Sequence, residues 1–309
     1  MISHRVAITC LFLTSLCLIL AGCGNGGAPT PTEQTTINQA DRLHRTLTPA
    51  VMNQDVNLRR YVQQVGQRLM NAAGEMHRAK IGPPSHFRDG GDWMFGKDMR
   101  FQLLRCPVPN AFTPGGTHVY VYNGLLQRCQ SEEEFAAGMA HAYAHLYARH
   151  GQQRATLPED ASAEDVVVSL INNRYTPQQE LEAENLAFQL FARAGWDPAA
   201  YGLLAQRLQE SGRADAARAR AESLPPAALD WAKPPIADAR RFAEYQKTAQ
   251  TLASEDLDED IELLLTAVPG CLTSVDQPAQ RTAQQELLNP TAPVEIPNPF
   301  EKGPRARPR

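Results

Sequence analysis

The chain has 309 residues, of which 43% are apolar and 21% are charged, and its formal net charge is −4. This composition is typical of a globular protein with enough apolar side chains for one large or two smaller domains. The body of the chain has no basic tract, which argues against a nucleic-acid-binding protein.

The N-terminus predicts an export signal. One arginine precedes the apolar run Val6–Leu20, which is too short for a comfortable membrane span. The run continues into Ala-Gly-Cys at 21–23, which resembles the lipobox of a bacterial lipoprotein signal peptide. The resemblance implies that residues 1–23 are this signal and that Cys23 carries lipid, which would anchor the protein to a membrane on the extracytoplasmic side of the bacterial envelope. Gly24 in place of aspartate favours the outer membrane, and an ordinary cleaved signal is the alternative.

Composition then suggests three further regions. Residues 24–40 are rich in Gly, Pro, Thr and Ala, which predicts a flexible tether. Amphipathic segments at 40–50 and 55–73 predict helices that open a folded domain over 41–253. Residues 254–309 begin with an acidic run and continue with Pro, Gln and Asn, so we expect a largely disordered tail.

A β-like region lies between the first and later helices. Trp93–Cys106 and Thr117–Asn123 predict strands, and in the second segment His118, Tyr120 and Tyr122 alternate with the other residues. This alternation predicts an edge strand with one exposed face. An edge strand can accept an extended peptide, so these three residues form a candidate peptide-binding strand. A plain sheet edge is the equal alternative.

The cysteines predict at most one disulfide. Cys10 and Cys17 leave with the signal, and Cys106, Cys129 and Cys271 remain. Cys106 and Cys129 flank the predicted hairpin and form the best candidate pair in an oxidising compartment. Because the chain has no C-x-x-C motif, a thiolate zinc site has no support.

Residues 131–151 predict one helix that carries two histidines four residues apart, His141 and His145. Ser131, followed three residues later by a glutamate, forms a capping box, and Gly151 is suited to end the helix. Two imidazoles one turn apart can bind one zinc ion. Two ordinary core histidines are the alternative, because Ala142 stands where the hydrolytic motif H-E-x-x-H has its glutamate.

A second helix predicts a third ligand. Thr176 and Pro177 have the sequence of a helix start, and the pattern runs to Ala194. The buried stripe of this helix continues into Glu184 and Glu180. Two carboxylates on such a face are costly unless they are paired, hydrogen-bonded or bound to metal, so Glu180 is a candidate ligand. A solvated first turn, where acids suit the helix dipole, is the equal alternative.

Several ordered motifs resemble the zinc metallopeptidases of peptidase family M48, over roughly residues 55–240. They are Asn-Ala-Phe at 110–112, Pro-Gly-Gly at 114–116, Gly-Leu-Leu at 124–126, the H-x-x-x-H helix with Ala-Arg-His-Gly at 148–151, and the segments 179–184 and 192–198. The resemblance implies an α+β, mainly helical fold of the gluzincin type with a small antiparallel sheet. It also implies a zinc cofactor bound by His141, His145 and Glu180.

Three departures from that family pattern shape the expected function. Ala142 replaces the general base, whose help is worth about 10²–10⁴ in rate. Glu184 replaces an aspartate that supports a ligand histidine, and Lys233 replaces a histidine that can approach the metal. We therefore expect a pseudopeptidase, inactive or severely weakened, that binds peptides or unfolded envelope proteins or regulates an active relative. The alternatives are an active zinc endopeptidase with another base and a metal-free structural lipoprotein.

Overall fold

The structure, a computed structural model, describes residues 29–82, 92–153, 157–158, 162–208, 211–224, 232–253 and 259–269. The predicted signal peptide, Cys23 and Cys271 lie outside these residues, as does most of the predicted tail. Within the described ranges, no helix is both long enough and apolar enough to cross a membrane.

The described chain is mainly helical, and one small sheet follows the second helix. The α-helices are α1 (Pro31–Val51), α2 (Val56–Arg78), α3 (Asn123–Arg128), α4 (Glu132–Tyr147), α5 (Ala163–Asn172), α6 (Pro177–Ala194), α7 (Leu203–Arg207), α8 (Ser211–Glu222), α9 (Ala239–Ala253) and α10 (Glu259–Ala267). The strands are β1 (Arg100–Leu104), β2 (Ala111–Gly115) and β3 (His118–Tyr122). Short 3-10 helices span Asp92–Phe95, His150–Gln153 and Pro198–Ala200. The predicted α+β, mainly helical class is confirmed.

The three strands have the order β1-β3-β2. β2 and β3 are antiparallel and are joined by a tight turn in which Gly115 and Gly116 have positive φ. β1 runs parallel to β3, with Arg100 opposite His118. The sheet is therefore mixed and not antiparallel throughout, because the connection 105–110 carries the chain past the place that β3 later fills.

β3 is the central strand, so the prediction of an exposed peptide-binding edge is wrong. Its backbone pairs with a strand on each side, and His118, Tyr120 and Tyr122 are all buried. Their polar atoms find partners inside the protein. His118 Nε2 lies 2.8 Å from a carboxylate oxygen of Asp41, and the Tyr122 hydroxyl donates to the carbonyl of Leu265 at 2.9 Å.

The predicted tether is also wrong from Pro31 onward, because α1 occupies residues 31–51. Thr30 and Glu33 cap the start of this helix: the Thr30 N–H donates to the Glu33 carboxylate at 2.6 Å. Glu33 is itself buried and pairs with Arg149 Nε at 3.1 Å. A segment of small and polar residues thus forms a helix, and a buried ion pair stabilises its first turn.

The predicted start of the tail at residue 254 is too early. α10 lies within it and buries Ile261, Leu264 and Leu265, and Val268 is buried directly after the helix. The carbonyl of Val268 accepts a hydrogen bond from the Asn110 side chain at 3.2 Å. The acidic residues that surround α10 made this apolar stripe look like a solvated face.

Cys106 and Cys129 are both free and buried, so the predicted disulfide between them is wrong. Each thiol belongs to the apolar core, where cysteine behaves as a small hydrophobic side chain. Burial raises the pKa of the Cys106 thiol to about 12.

Candidate metal centre

The histidine helix α4 has the predicted N-cap, Ser131, but it lacks the reciprocal half of the predicted capping box and ends earlier than predicted. The Ser131 hydroxyl accepts the Glu134 N–H at 3.4 Å, and the Glu134 carboxylate accepts the Gln130 N–H at 2.9 Å. The helix ends at Tyr147, and the residue with positive φ that follows is Arg149 at 57°, not Gly151. The ion pair between Arg149 and the buried Glu33 stabilises this turn.

The start of α6 follows its sequence signals closely. Thr176 and Gln179 form a reciprocal capping box with Pro177 in the first turn, and Gly195 ends the helix at a φ of 95°. These local signals place Glu180 in the first turn, one turn before Glu184. α6 packs along α4, so both carboxylates meet the histidines.

Three candidate ligand atoms converge between the two helices. His141 Nε2 and His145 Nε2 lie 3.2 Å apart. Glu180 Oε2 lies 3.3 Å from the first and 3.4 Å from the second. A tetrahedral zinc ion with bonds of about 2.0–2.1 Å separates its ligand atoms by about 3.3 Å. The triangle therefore has the size of one face of a tetrahedral zinc site, and the group fits a metal ion.

The site is buried on the histidine side and open on the glutamate side. His141 and His145 are almost fully buried, whereas 42% of the Glu180 side chain is exposed. A ligand or water can reach the group past Glu180. This arrangement has the character of a catalytic zinc site, in which three protein ligands leave one position open.

Glu184 orients the first histidine. Its Oε2 lies 2.9 Å from His141 Nδ1, so this nitrogen carries a proton and donates, and Nε2 is left as the ligand atom. The Arg213 guanidinium donates to the same oxygen at 2.8 Å. The longer glutamate, in place of the family's aspartate, thus still reaches the ring and is held by a cation from α8.

A second histidine orients the other ligand. His145 Nδ1 lies 3.0 Å from His150 Nδ1, and His150 Nε2 lies 3.3 Å from Glu182 Oε2. With His145 Nε2 as a metal ligand, its Nδ1–H donates to His150, and His150 Nε2–H donates to Glu182. The Tyr175 ring stacks on His145 with 3.7 Å between the ring centres.

The charges of the cluster follow from these contacts. Burial lowers the pKa of His145 to about 3, so this ring is neutral. Burial and Arg213 oppose charge on His141, but hydrogen bonds to Glu180 and Glu184 raise its pKa above the ordinary value. Burial also opposes charge on the two carboxylates, and their hydrogen bonds to the histidines still hold both pKa values below the usual range.

No replacement for the missing base stands out at Ala142 or next to it. Ala142 is fully buried, and its methyl group cannot exchange a proton. The Tyr143 hydroxyl is occupied on the side of the sheet, where it donates to the carbonyl of Met94 at 2.6 Å. Glu184 already accepts from His141 and Arg213.

Lys233 lies away from the three ligands. Its side chain is exposed, and its N–H donates to the carbonyl of Gly195 at 2.8 Å. Gly195 is at the opposite end of the 18-residue helix from the turn that carries Glu180. The expectation that a side chain at position 233 approaches the metal therefore has no support in this structure.

The sequence reasoning missed three side chains around the ligands. His150 belongs to the Ala-Arg-His-Gly segment at 148–151, and Tyr175 directly precedes Thr176, the N-cap of α6. Arg213 carried no signal, because α8 is a polar helix rich in alanine and arginine. Its contact with Glu184 links two helices that a local pattern cannot relate.

Comparisons with known proteins agree with this geometry. Residues 94–159 match the model of peptidase family M48. Over 129 residues, covering 36% of this chain and 38% of the relative, the chain is 30% identical to the mitochondrial metalloendopeptidase OMA1 of Schizosaccharomyces pombe. Over 231 residues, covering 65% of this chain and 42% of the relative, it is 26% identical to the beta-barrel assembly-enhancing protease of Escherichia coli strain K12. The chain thus spans about two fifths of the length of these relatives.

Peptidases of this family are zinc-dependent, and the residues that converge here are of the type that holds zinc. The family match contains both histidines and the strands that pack on their helix. Around its candidate metal centre, the chain is therefore similar to metallopeptidases of peptidase family M48.

Proposed function

We propose that this protein is a lipid-anchored, extracytoplasmic member of the family that binds zinc through His141, His145 and Glu180 but has lost most or all peptidase activity. The observation that carries the proposal is Ala142 beside a ligand triangle of the right size for zinc.

Zinc bound to the three ligands would polarise a water molecule and a peptide carbonyl. Hydrolysis also needs a group that takes a proton from the water and returns one to the leaving amine. Ala142 cannot do this, and the neighbouring acids Glu184 and Glu182 are each held by a histidine. Loss of such a base costs about 10²–10⁴ in rate, so only a remnant of activity would survive.

A member without its base acts by binding. Its partner would be a peptide or an unfolded envelope protein, or an active relative that it regulates. The relative named a beta-barrel assembly-enhancing protease favours a role in envelope protein quality control. The lipobox at Cys23 supports membrane anchoring, and Gly24 favours the outer membrane as its site.

The first test is zinc stoichiometry on the purified chain, with His141→Ala as the control. We expect about one zinc per chain, lost in the control because one corner of the triangle is removed. No zinc in the wild type would favour a metal-free structural lipoprotein. Efficient, zinc-dependent cleavage by the wild type, abolished by His141→Ala, would instead show an active peptidase with another base.

The second test restores the missing group. Ala142→Glu should raise peptide cleavage, with a ceiling of about 10²–10⁴-fold and a partial gain expected. Ala142→Gln is the matched control, because it has the same shape without a basic carboxylate. Equal cleavage by the two variants would show that the loss of activity does not lie at residue 142.

A further inference from the structure

A cavity of about 370 Å³ lies beside the outer edge of β1, outside the metal centre. Its wall is formed by α1, by the first two turns of α2 and by β1. Three arginines line it: Arg59, Arg60 and Arg100. Nothing in the metal chemistry uses these residues.

The three guanidinium groups lack an acidic partner. No carboxylate lines the cavity, and within the described part of the chain none of the three arginines forms an ion pair. The Nε of Arg59 is buried with no hydrogen-bond partner. This concentration of unpaired positive charge occurs in a chain with a net charge of −4, and it calls for an anion.

The other polar groups of the wall are also donors. The side-chain oxygen of Gln63 accepts the Phe101 N–H at 2.9 Å, which leaves its amide nitrogen as a donor. The Gln102 amide nitrogen donates inside the protein, where it lies 3.1 Å from His44 Nδ1 and 3.0 Å from His118 Nδ1. Gln63 therefore adds a neutral donor to the three arginines of the cavity.

A peptide cannot add to β1 as a further strand. Its outer edge already pairs with the end of α1 and the residues that follow it: the Asn53 N–H donates to the carbonyl of Leu103 at 2.9 Å, and the Arg105 N–H donates to the carbonyl of Val51 at 2.7 Å. The Phe101 N–H, also on this edge, already donates to the side-chain oxygen of Gln63. A ligand of this cavity must be recognised by side chains and not by strand pairing.

We propose that this cavity is a binding site for a phosphate group, carried either by a small phosphate compound or by a phospholipid headgroup. Guanidinium groups bind phosphate oxygens with paired, charge-assisted hydrogen bonds, and three of them suit a doubly charged phosphate better than a single carboxylate. Met52, Val56 and Phe101 supply apolar contact for the organic part of the ligand.

Calorimetric titration of the purified chain with inorganic phosphate and with glycerol 3-phosphate, at constant ionic strength, tests the site. We expect binding that Arg59→Gln/Arg60→Gln weakens about 100-fold, about tenfold for each lost charged donor. The matched control is Arg78→Gln/Lys80→Gln, which removes the same charge at the far end of α2 and should bind like the wild type. Binding must persist in His141→Ala, which separates this cavity from phosphate held by a metal.

Arg100→Gln is the second variant, should the double variant fail to fold, and we expect about tenfold weaker binding. Vesicles of phosphatidylcholine with and without phosphatidylglycerol then separate the two sources, with Cys23→Ser in every chain compared so that lipid on Cys23 does not cause retention. Retention that is stronger on the anionic vesicles and lost in the double variant assigns the headgroup. Phosphate binding without that preference assigns a soluble compound. Absence of binding to both probes, or equal binding by wild type and cavity variants, would overturn the proposal.

Discussion

Carboxylate side chains lie at both ends of α4, but the groups that surround them differ. At the N-terminal end, the Glu132 carboxylate accepts from Trp196 Nε1, from the backbone N–H groups of Ile236 and Ala237, and from the Tyr61 hydroxyl. These distances run from 2.7 to 3.3 Å. Arg68 adds a cation at 3.6 Å.

At the other end, two imidazole nitrogens and a carboxylate oxygen approach one another at 3.2–3.4 Å. The outward nitrogens of His141 and His145 have partners of their own, which direct the inner nitrogens toward the same point. At the N-terminal end, donors of the protein thus satisfy the Glu132 carboxylate. At the histidine end, the three acceptor atoms converge in a geometry that suits a positive ion. The difference fits a structural role for the buried Glu132 and the proposed zinc-binding role for the histidine end, where 42% of the Glu180 side chain is exposed.

The largest expected effect is the loss of stability when the Glu132 carboxylate is removed. Glu132→Ala leaves several buried donors and the Arg68 charge without an acceptor, so we expect a loss of about 3–5 kcal/mol in the free energy of unfolding. Urea unfolding of the chelator-treated protein measures it. Glu133→Ala removes the same charge from the next residue, and we expect it to stay within about 1 kcal/mol of wild type. A small effect of Glu132→Ala would show that solvent replaces the carboxylate and that this end is not structural.

The sequence could predict what depends on local signals. The caps of α4 and α6 are set by residues within three positions of each other, such as Thr176 and Gln179. His141 and His145 share one helix, and the apolar stripe of α6 points to Glu180. These local patterns made the three residues candidates, and the family resemblance combined them into one ligand set. The structure places their candidate ligand atoms within 3.4 Å of one another.

The predictions that were wrong or missing concern contacts between residues far apart in the sequence. Tyr and His suit either an exposed face or a buried one with partners, so β3 was mistaken for an edge although Tyr122 bonds to residue 265. The polar sequence of α1 gave no sign that Glu33 would bury itself against Arg149. Arg213 reaches Glu184 across a separation of 29 residues for the same reason.

The second prediction sharpens the role of the groups behind the ligands. Glu184→Gln and His150→Ala should each weaken zinc binding about 10–100-fold, because groups behind ligand histidines fix the orientation of the rings. Competition with a coloured chelator measures the affinity. Gln178→Ala, on an exposed turn of the same helix as Glu184, should bind like wild type. Unchanged affinity in both variants would mean that the rings are held by packing alone, for example by Tyr175.

The smallest expected effect is the pH dependence of the metal-free protein. The folded pKa of Glu184 lies below its ordinary value of 4.5, so its stabilising contribution is present above about pH 4.5 and is lost as pH falls through the folded pKa. The folded pKa of His141 lies above 6.5, so its contribution is present below about pH 6.5 and is lost as pH rises through the folded value.

The ion pair should therefore stabilise the metal-free chain most between about pH 4.5 and 6.5. Urea unfolding of wild type and Glu184→Gln, measured at about pH 3, 5.5 and 8.5, gives the difference in stability at each pH. We expect the largest difference at the middle value, with Glu133→Gln showing no such maximum. A difference that falls at pH 3 but is the same at pH 5.5 and 8.5 would mean that Arg213, which keeps its charge throughout, and not His141, is the partner that matters to Glu184. In that case the histidine end of α4 would keep its geometry without a charged His141, and its stability would rest on contacts that do not titrate with that histidine.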